Sequence, residues 1–317
     1  MSLSVQELRV YYQTLHGEVR ALDGVSFSIA DGEIMGLAGE SGCGKTTLGY
    51  SLVRLSPPRR LVSGRAVLDG EELPLGDPDA MRRFGWKGVS IVPQFAMSAL
   101  NPRRRIGGMI AELLAARKLR YLELLPELER RLDLVRLPAA VLAMYPFELS
   151  GGMRQRMVLV LSTLLNPSLL VADEVTSALD VSIQRAVAQL LAEFRDRGLV
   201  KSMLVITHDL AVLYQIADTI AVMYAGKLVE KASADVIIRA PRHPYTRLLI
   251  SSLPEIGARH ARCRLKGIPG QPPSLLNPPL GCRFRARCPA VSDQCGEEPP
   301  LREVAAGHQV ACWQQPC

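Results

Sequence analysis

The octapeptide GESGCGKT, residues 39–46, leaves this chain few folds to choose from. It follows a short apolar run, IMGLA (34–38), and precedes a helical pattern, TTLGYSLVRL (46–55). It therefore reads as a glycine-rich turn that joins a buried strand to a helix. Such a turn aims backbone N–H groups and a helix N-terminus at one point, where a polyphosphate can sit. Lys45 is spaced to reach the terminal phosphates as a point charge, and the Thr46 hydroxyl to ligate Mg²⁺. The plainer reading is a tight glycine turn with no ligand, and the strand before it and helix after it argue against that.

The rest of the chain reads as an α/β protein. Residues 5–30 alternate apolar and polar types (Leu8, Val10, Tyr12; then Val25, Phe27, Ile29), as antiparallel strands do. Buried strands are expected at VSIV (89–92), SLLVA (168–172), SMLVIT (202–207) and TIAVMY (219–224), the last ending at Ala225-Gly226. In VSIQRAVAQLLAEFRDRG, Ile183, Val187, Leu190, Leu191 and Phe194 share a helix face, with Asp180 as N-cap and Gly198 as stop. Strands alternating with helices imply a mainly parallel sheet. Residues 106–137 are charged, helix-rich and without a strand candidate, so they read as a helical insert. From about residue 253 ten of the 22 prolines and six of the seven cysteines appear, marking a small loop-rich appendage without a large core of its own.

Bulk properties exclude little. No start resembles a signal peptide, and the best apolar run, MVLVLSTLLNPSLLVA, is broken at Asn166-Pro167, so a cytoplasmic protein is expected. The net charge of +7 fits scattered solvated arginines or an anionic partner, and charge alone does not choose.

Two further motifs complete a pattern. SLLVADE (168–174) is an apolar strand ending in two carboxylates: Asp173 suits a magnesium shell and Glu174 a general base. In LSGGMRQR (149–156), Ser150 caps a helix whose N-terminus, with Gly151 and Gly152, can receive a phosphate. This octapeptide resembles the signature of the ATP-binding cassette ATPases. The resemblance implies a P-loop fold with an N-terminal antiparallel β subdomain, a helical subdomain at about 96–148, and a C-terminal Cys/Pro-rich extension. It divides the chain into a nucleotide-binding domain (1–252) and the extension (253–317).

The resemblance also implies the site. ATP would rest on Tyr12, Gly39, Glu40, Ser41, Gly42, Cys43, Gly44, Lys45, Thr46 and Thr47, with Cys43 a spectator and Tyr12 preferred to its neighbour Tyr11 for stacking on adenine. Thr46, Gln94 and Asp173 would hold Mg²⁺, while Glu174, Gln94 and His208 would serve catalysis. Ser150, Gly151, Gly152 and Gln155 would face the ATP of a second subunit, and Asp180, at the end of SALD (177–180), would cross the dimer interface. One departure is visible: Val175 stands where the family usually has proline, and a local backbone change without loss of chemistry is expected.

PQFAMSALNP (93–102, with Ala99 for the usual serine), HPYTRLLISSLP (243–254) and the cysteine tail are similar to the dipeptide/oligopeptide importer ATPases. That resemblance implies a peripheral ATPase at the cytoplasmic membrane face, working with a homologous second ATPase or a second copy of itself. Its other partners would be two membrane permeases and, indirectly, an extracytoplasmic solute-binding protein. Peptides are the expected solute, with oligosaccharides or nickel as related cargoes. The alternative is a DNA-repair cassette ATPase. Against it stand the single phosphate loop, the missing CxxC pairs and the absence of a coiled-coil run, so no nucleic-acid partner is expected.

Cys282, Cys288, Cys295 and Cys312 follow C-x5-C-x6-C-x16-C, a set of thiolate donors suited to an iron–sulfur cluster or to zinc. The resemblance favours a 4Fe-4S cluster, with zinc, and disulfides or free thiols, as the alternatives. Cys263 and Cys317 lie outside the pattern.

Overall fold

The computed structural model describes residues 2–94, 96–175, 181–252 and 267–314. Two long strands come first, β1 (Leu3–Thr14) and β2 (Gly17–Ile29), antiparallel from Leu3 opposite Ile29 to Thr14 opposite Gly17. The buried phase of β1 changes from Leu3 and Val5 to Leu8 and Val10. A bulge between Val5 and Leu8, with Glu7 at φ 48°, makes that change by adding a residue to the strand. β3 (Ile34–Ala38) then enters a second sheet and leads through the glycine-rich loop to α1 (Lys45–Val53). β4 (Arg59–Leu68) and β5 (Glu71–Glu72) return to the first sheet, which is four-stranded in the order β2-β1-β4-β5.

After α2 (Pro78–Phe84) and β6 (Val89–Val92) comes the helical insert, built on α3 (Ile106–Ala115) and α4 (Tyr121–Leu134). Pro126 is the sixth residue of α4 and lies inside it, where its missing N–H removes one backbone bond of the helix. Arg131, fully buried, ties α4 to the body: it donates to the Thr163 carbonyl, to Asn166 Oδ1 and, at 2.7 Å, to Glu127 Oε1. Thr163 ends α5 (Gly151–Thr163), and β7 (Leu169–Asp173), α6 (Val181–Asp196), β8 (Ser202–Ile206), α7 (Leu210–Ile216) and β9 (Thr219–Tyr224) follow. Gly198, at φ 67°, lies just past α6 as expected.

The larger sheet has eight strands once β10 (Lys227–Ser233), β11 (Arg302–Ala305) and β12 (His308–Val310) are added, in the order β11-β12-β10-β9-β3-β8-β7-β6. Its strands β3, β6, β7, β8 and β9 are parallel. Every residue of β3, β7 and β8 is buried, which is why they read as unbroken apolar runs and not as alternating ones. Ile34 and Ala38 point into one core, Met35 and Leu37 into the other, so β3 is covered on both faces.

The appendage differs from expectation. No strand is legible in it, yet the β11–β12 hairpin pairs with β10 and so extends the main sheet. α8 (Ala234–Arg239) and α9 (Pro244–Ser251) lead up to it. The fully buried Glu230 carboxylate of β10 fastens the parts: it accepts from Arg242 N–H (2.7 Å) and His243 N–H (3.0 Å), and His308 Nε2 lies 2.7 Å away. Among the described residues no helix is long and apolar enough to cross a membrane.

Candidate functional site

The strands of a parallel sheet deliver their next residues to one edge, and this edge collects the expected chemistry. The loop after β3 bends at Gly39 (φ 144°), Gly42 (φ 78°) and Gly44 (φ 108°). A Cβ on Gly39 would lie 2.2 Å from the Met223 carbonyl oxygen, and one on Gly44 2.3 Å from that of Ala21, so no other residue fits either place. Lys45 is buried, its ammonium donating to the carbonyls of Gly39 (2.7 Å) and Glu40 (3.0 Å). A cleft of about 500 Å³ opens over the loop, lined among others by Tyr12, Ser41, Gly42, Thr46, Gln94 and Glu174. Tyr12 reaches it with its hydroxyl 3.0 Å from Thr47 Oγ1, whereas Tyr11 is spent on Asp23 at 2.8 Å. Cys43 is buried beside the loop, and burial pushes its thiol pKa up.

Thr46, at the start of α1, donates to Asp173 Oδ1 (3.3 Å) from the end of β7. Asp173 Oδ2 is buried with no hydrogen-bond partner, and burial pushes the carboxyl pKa up to about 6, aided by the charge of Glu174. A buried oxygen without a partner beside a hydroxyl is a donor set suited to a hard divalent cation, so Mg²⁺ fits these residues. Glu174 stands one residue on, in left-handed backbone (φ 47°) that turns it away from the strand, with its N–H donating to Ile206 O (2.8 Å). Gln94 Nε2, just past β6, donates to Glu174 Oε2 (2.6 Å). His208, just past β8, brings Nδ1 to 3.7 Å from Oε1. A carboxylate flanked by an amide and an imidazole over a phosphate-sized loop can orient and deprotonate water.

Ser150 caps α5, accepting from Met153 N–H (3.3 Å), and Ser150, Gly151 and Gly152 lie off the cleft of their own chain. Gln155 departs from expectation. It is 3% exposed and donates to the Val175 carbonyl, so its side chain braces the segment after Glu174 and does not face outward towards a second subunit. The same bond accounts for Val175: what is used there is a carbonyl, which proline also has, and the valine side chain packs in the core. Asp180 lies outside the described residues.

The four cysteines of the tail are unbridged. Burial pushes Cys282 up to about 11 and raises Cys288 and Cys312, and each of the six pairings of the four thiols is close enough to add to such shifts. Yet no group of three or more His, Cys, Asp or Glu side chains among the described residues is arranged to hold a metal ion. The donor chemistry converges without forming a metal site, and the expected cluster gains no support there.

Two further features join residues of the motifs to residues outside them. A groove of about 400 Å³ runs beside the insert, lined by Trp86, Pro93, Leu100, Met109 and Leu113 among others. Arg287 and Tyr245, from the C-terminal part, reach Glu40 in the glycine-rich loop. In the sequence Arg287 shows only as an arginine between Cys282 and Cys288 and Tyr245 as part of HPYT, and neither points to Glu40, 247 positions before Arg287.

Residues 22–177 match the family model for ABC transporter, and residues 229–295 that for the oligopeptide/dipeptide transporter, C-terminal region. The dipeptide transport ATP-binding protein DppD of Caldanaerobacter subterraneus subsp. tengcongensis is 40% identical over 316 residues, covering 98% of this chain and 96% of that protein. The oligopeptide transport ATP-binding protein OppD of Escherichia coli is 37% identical over 314 residues, covering 98% and 92%. Among solved structures, the dimeric post-hydrolysis state of the ATP-binding cassette MJ0796, bound to ADP and Pi, has a TM-score of 0.62 at 22% identity. It covers 73% of this chain and 98% of that one, a likeness of fold.

Proposed function

The chain belongs to the ATP-binding cassette ATPases of the dipeptide/oligopeptide transporters, and from that premise we propose that it is the ATP-hydrolysing subunit of a peptide importer. The observation that carries the reading is the meeting of Thr46, Asp173, Gln94 and Glu174 around one cleft at the carboxyl edge of the parallel strands. The relatives named above are transport proteins, which favours this reading over a DNA-repair ATPase.

In the mechanism we infer, the loop amides and the α1 N-terminus take the β- and γ-phosphates, and Lys45 leaves the Gly39 and Glu40 carbonyls for them. Tyr12 stacks on the base. Thr46, Asp173 and Gln94 would hold Mg²⁺, which when bound would neutralise charge on the phosphates. Glu174, fixed by Gln94, takes a proton from the attacking water, and His208 contacts the γ-phosphate. Ser150, Gly151 and Gly152 receive the γ-phosphate bound by a partner ATPase, so two cassettes close on two nucleotides. Asp180 lies at that interface. Hydrolysis removes the charge that joins them. Membrane permeases dock in the groove between β6 and the insert, at the cytoplasmic membrane face. Glu174→Gln is expected to lower ATPase turnover at least ~100-fold while retaining ATP, a loss typical of a general base. Near-normal turnover in a steady-state assay, or stimulation by DNA in place of permeases, contradicts this reading.

The nest of Cys282, Cys288, Cys295 and Cys312 is, in this reading, the seat of a 4Fe-4S cluster, with zinc as the competing occupant. The reading rests on the closeness of the four thiols, three of which (Cys282, Cys288 and Cys312) are raised by burial, since a metal is what stabilises several thiolates together. Iron and sulfide analysis of anaerobically purified protein should find a stoichiometric cluster, and stoichiometric zinc or no metal contradicts it.

A further inference from the structure

Glu40 places a carboxylate within a loop that is to receive a polyphosphate. All three of its polar groups are engaged. Its N–H donates to Tyr245 Oη (2.8 Å), its carbonyl accepts from Lys45 Nζ (3.0 Å), and its carboxylate receives a two-pronged bond from Arg287. Arg287 Nη1 donates to Oε2 at 2.7 Å and Nη2 to Oε1 at 2.9 Å. The guanidinium is itself fixed by the carbonyls of Pro269 (2.8 Å) and Ile268 (3.2 Å) and by Tyr224 Oη (3.1 Å). Its side chain is 5% exposed against 24% for Glu40, so the pair is shielded from water and its interaction is little screened. Phe284, packed edge-on against Tyr224 (5.1 Å) and Tyr245 (5.3 Å), anchors the same segment.

We propose that Arg287 is a positioning residue for ATP: by neutralising and orienting Glu40 it keeps the phosphate loop, and the lysine bonded to it, receptive to the nucleotide's phosphates. The inference rests on the reading of residues 39–46 as the ATP site. The planar fork matters as well as the charge. Two parallel bonds fix the plane of the carboxylate, and with it the Glu40 backbone whose carbonyl meets Lys45. Without Arg287 an unpaired carboxylate would remain within the loop and repel the incoming phosphates.

The test is calorimetric ATP binding and steady-state ATPase kinetics on the full chain. Arg287→Ala is expected to weaken ATP binding ~10-fold or more and to raise KM in step, with kcat within ~3-fold, because Glu174, Gln94 and Asp173 are untouched. Adding Glu40→Gln to Arg287→Ala should restore most of the affinity by removing the unpaired charge. A merely structural role would lower the melting temperature without that rescue. If Arg287→Ala does not fold, Arg287→Gln, which can still bond the Pro269 carbonyl but lacks charge, is read in the same way. Affinity within ~2-fold of wild type, or a double variant no better than the single one, overturns the proposal. Wild-type protein that binds no ATP, and so does not differ from Lys45→Ala, overturns the site reading instead.

Discussion

Asp173 shows what a single buried carboxyl can do to this protein before any cation arrives. Its ordinary value of 3.8 is raised to about 6, first by burial and then by the neighbouring Glu174 charge, against the opposing Thr46 hydrogen bond. The folded state therefore holds this proton more tightly than the unfolded chain. The associated stability is fully present below pH 3.8 and is lost as pH rises to about 6, a difference on the order of 3 kcal/mol. Metal-free Asp173→Asn should accordingly be more stable than wild type at pH 8 and no more stable at pH 3.5. Urea titrations at the two values check this, and equal midpoints at pH 8 contradict it. That Lys45, Thr46, Asp173 and Glu174 come to one edge was legible because each lies at or just after the end of an apolar strand. The direction of Gln155 was not. Its place on α5 suits an outward amide as well as an inward one, and only the nearby Val175 carbonyl decides.

Elements were legible in proportion to their burial. β3, β7 and β8 are buried throughout and, apart from Asp173 and Ser202 at their ends, apolar, because both faces are covered. The β11–β12 hairpin has three or four residues to a strand, only two of the seven buried, and becomes a strand pair only against the edge of β10. The insert was visible as helices, but its attachment was not, since it depends on Arg131 meeting Thr163 and Asn166 more than 30 positions away. Arg131→Ala should cost about 3–5 kcal/mol, the loss typical of removing one partner from a buried ionic network. Chemical denaturation checks it, and a loss under about 1 kcal/mol would contradict that network's importance.

At the scale of the molecule, the C-terminal part and the cassette are one packed body, and His243 sits at their joint. Burial first, and the Arg247 charge after it, push the imidazole pKa down to about 3 from 6.5, while a backbone bond to Ala311 opposes them. A depressed value means the unfolded chain takes the proton more readily. Stability present above pH 6.5 is thus lost as pH falls through the range down to about 3. By pH 5.5 the loss amounts to about 1.4 kcal/mol. His243→Asn, which keeps an acceptor for the Tyr245 N–H, should flatten this acid limb in thermal melts taken from pH 7.5 to 5. An unchanged limb would place the acid sensitivity elsewhere.

The bond between Arg283 and Asp23 spans 260 positions, and that between Arg287 and Glu40 spans 247. On a ribosome the loop and its strands emerge long before their arginine partners do. A growing chain can lay down the apolar strands early, but the phosphate loop reaches its final setting only with the last portion made. Chains stalled or clipped before residue 283 would therefore carry the glycine-rich loop without the guanidinium that bonds its Glu40, and β2 without the one that bonds its Asp23.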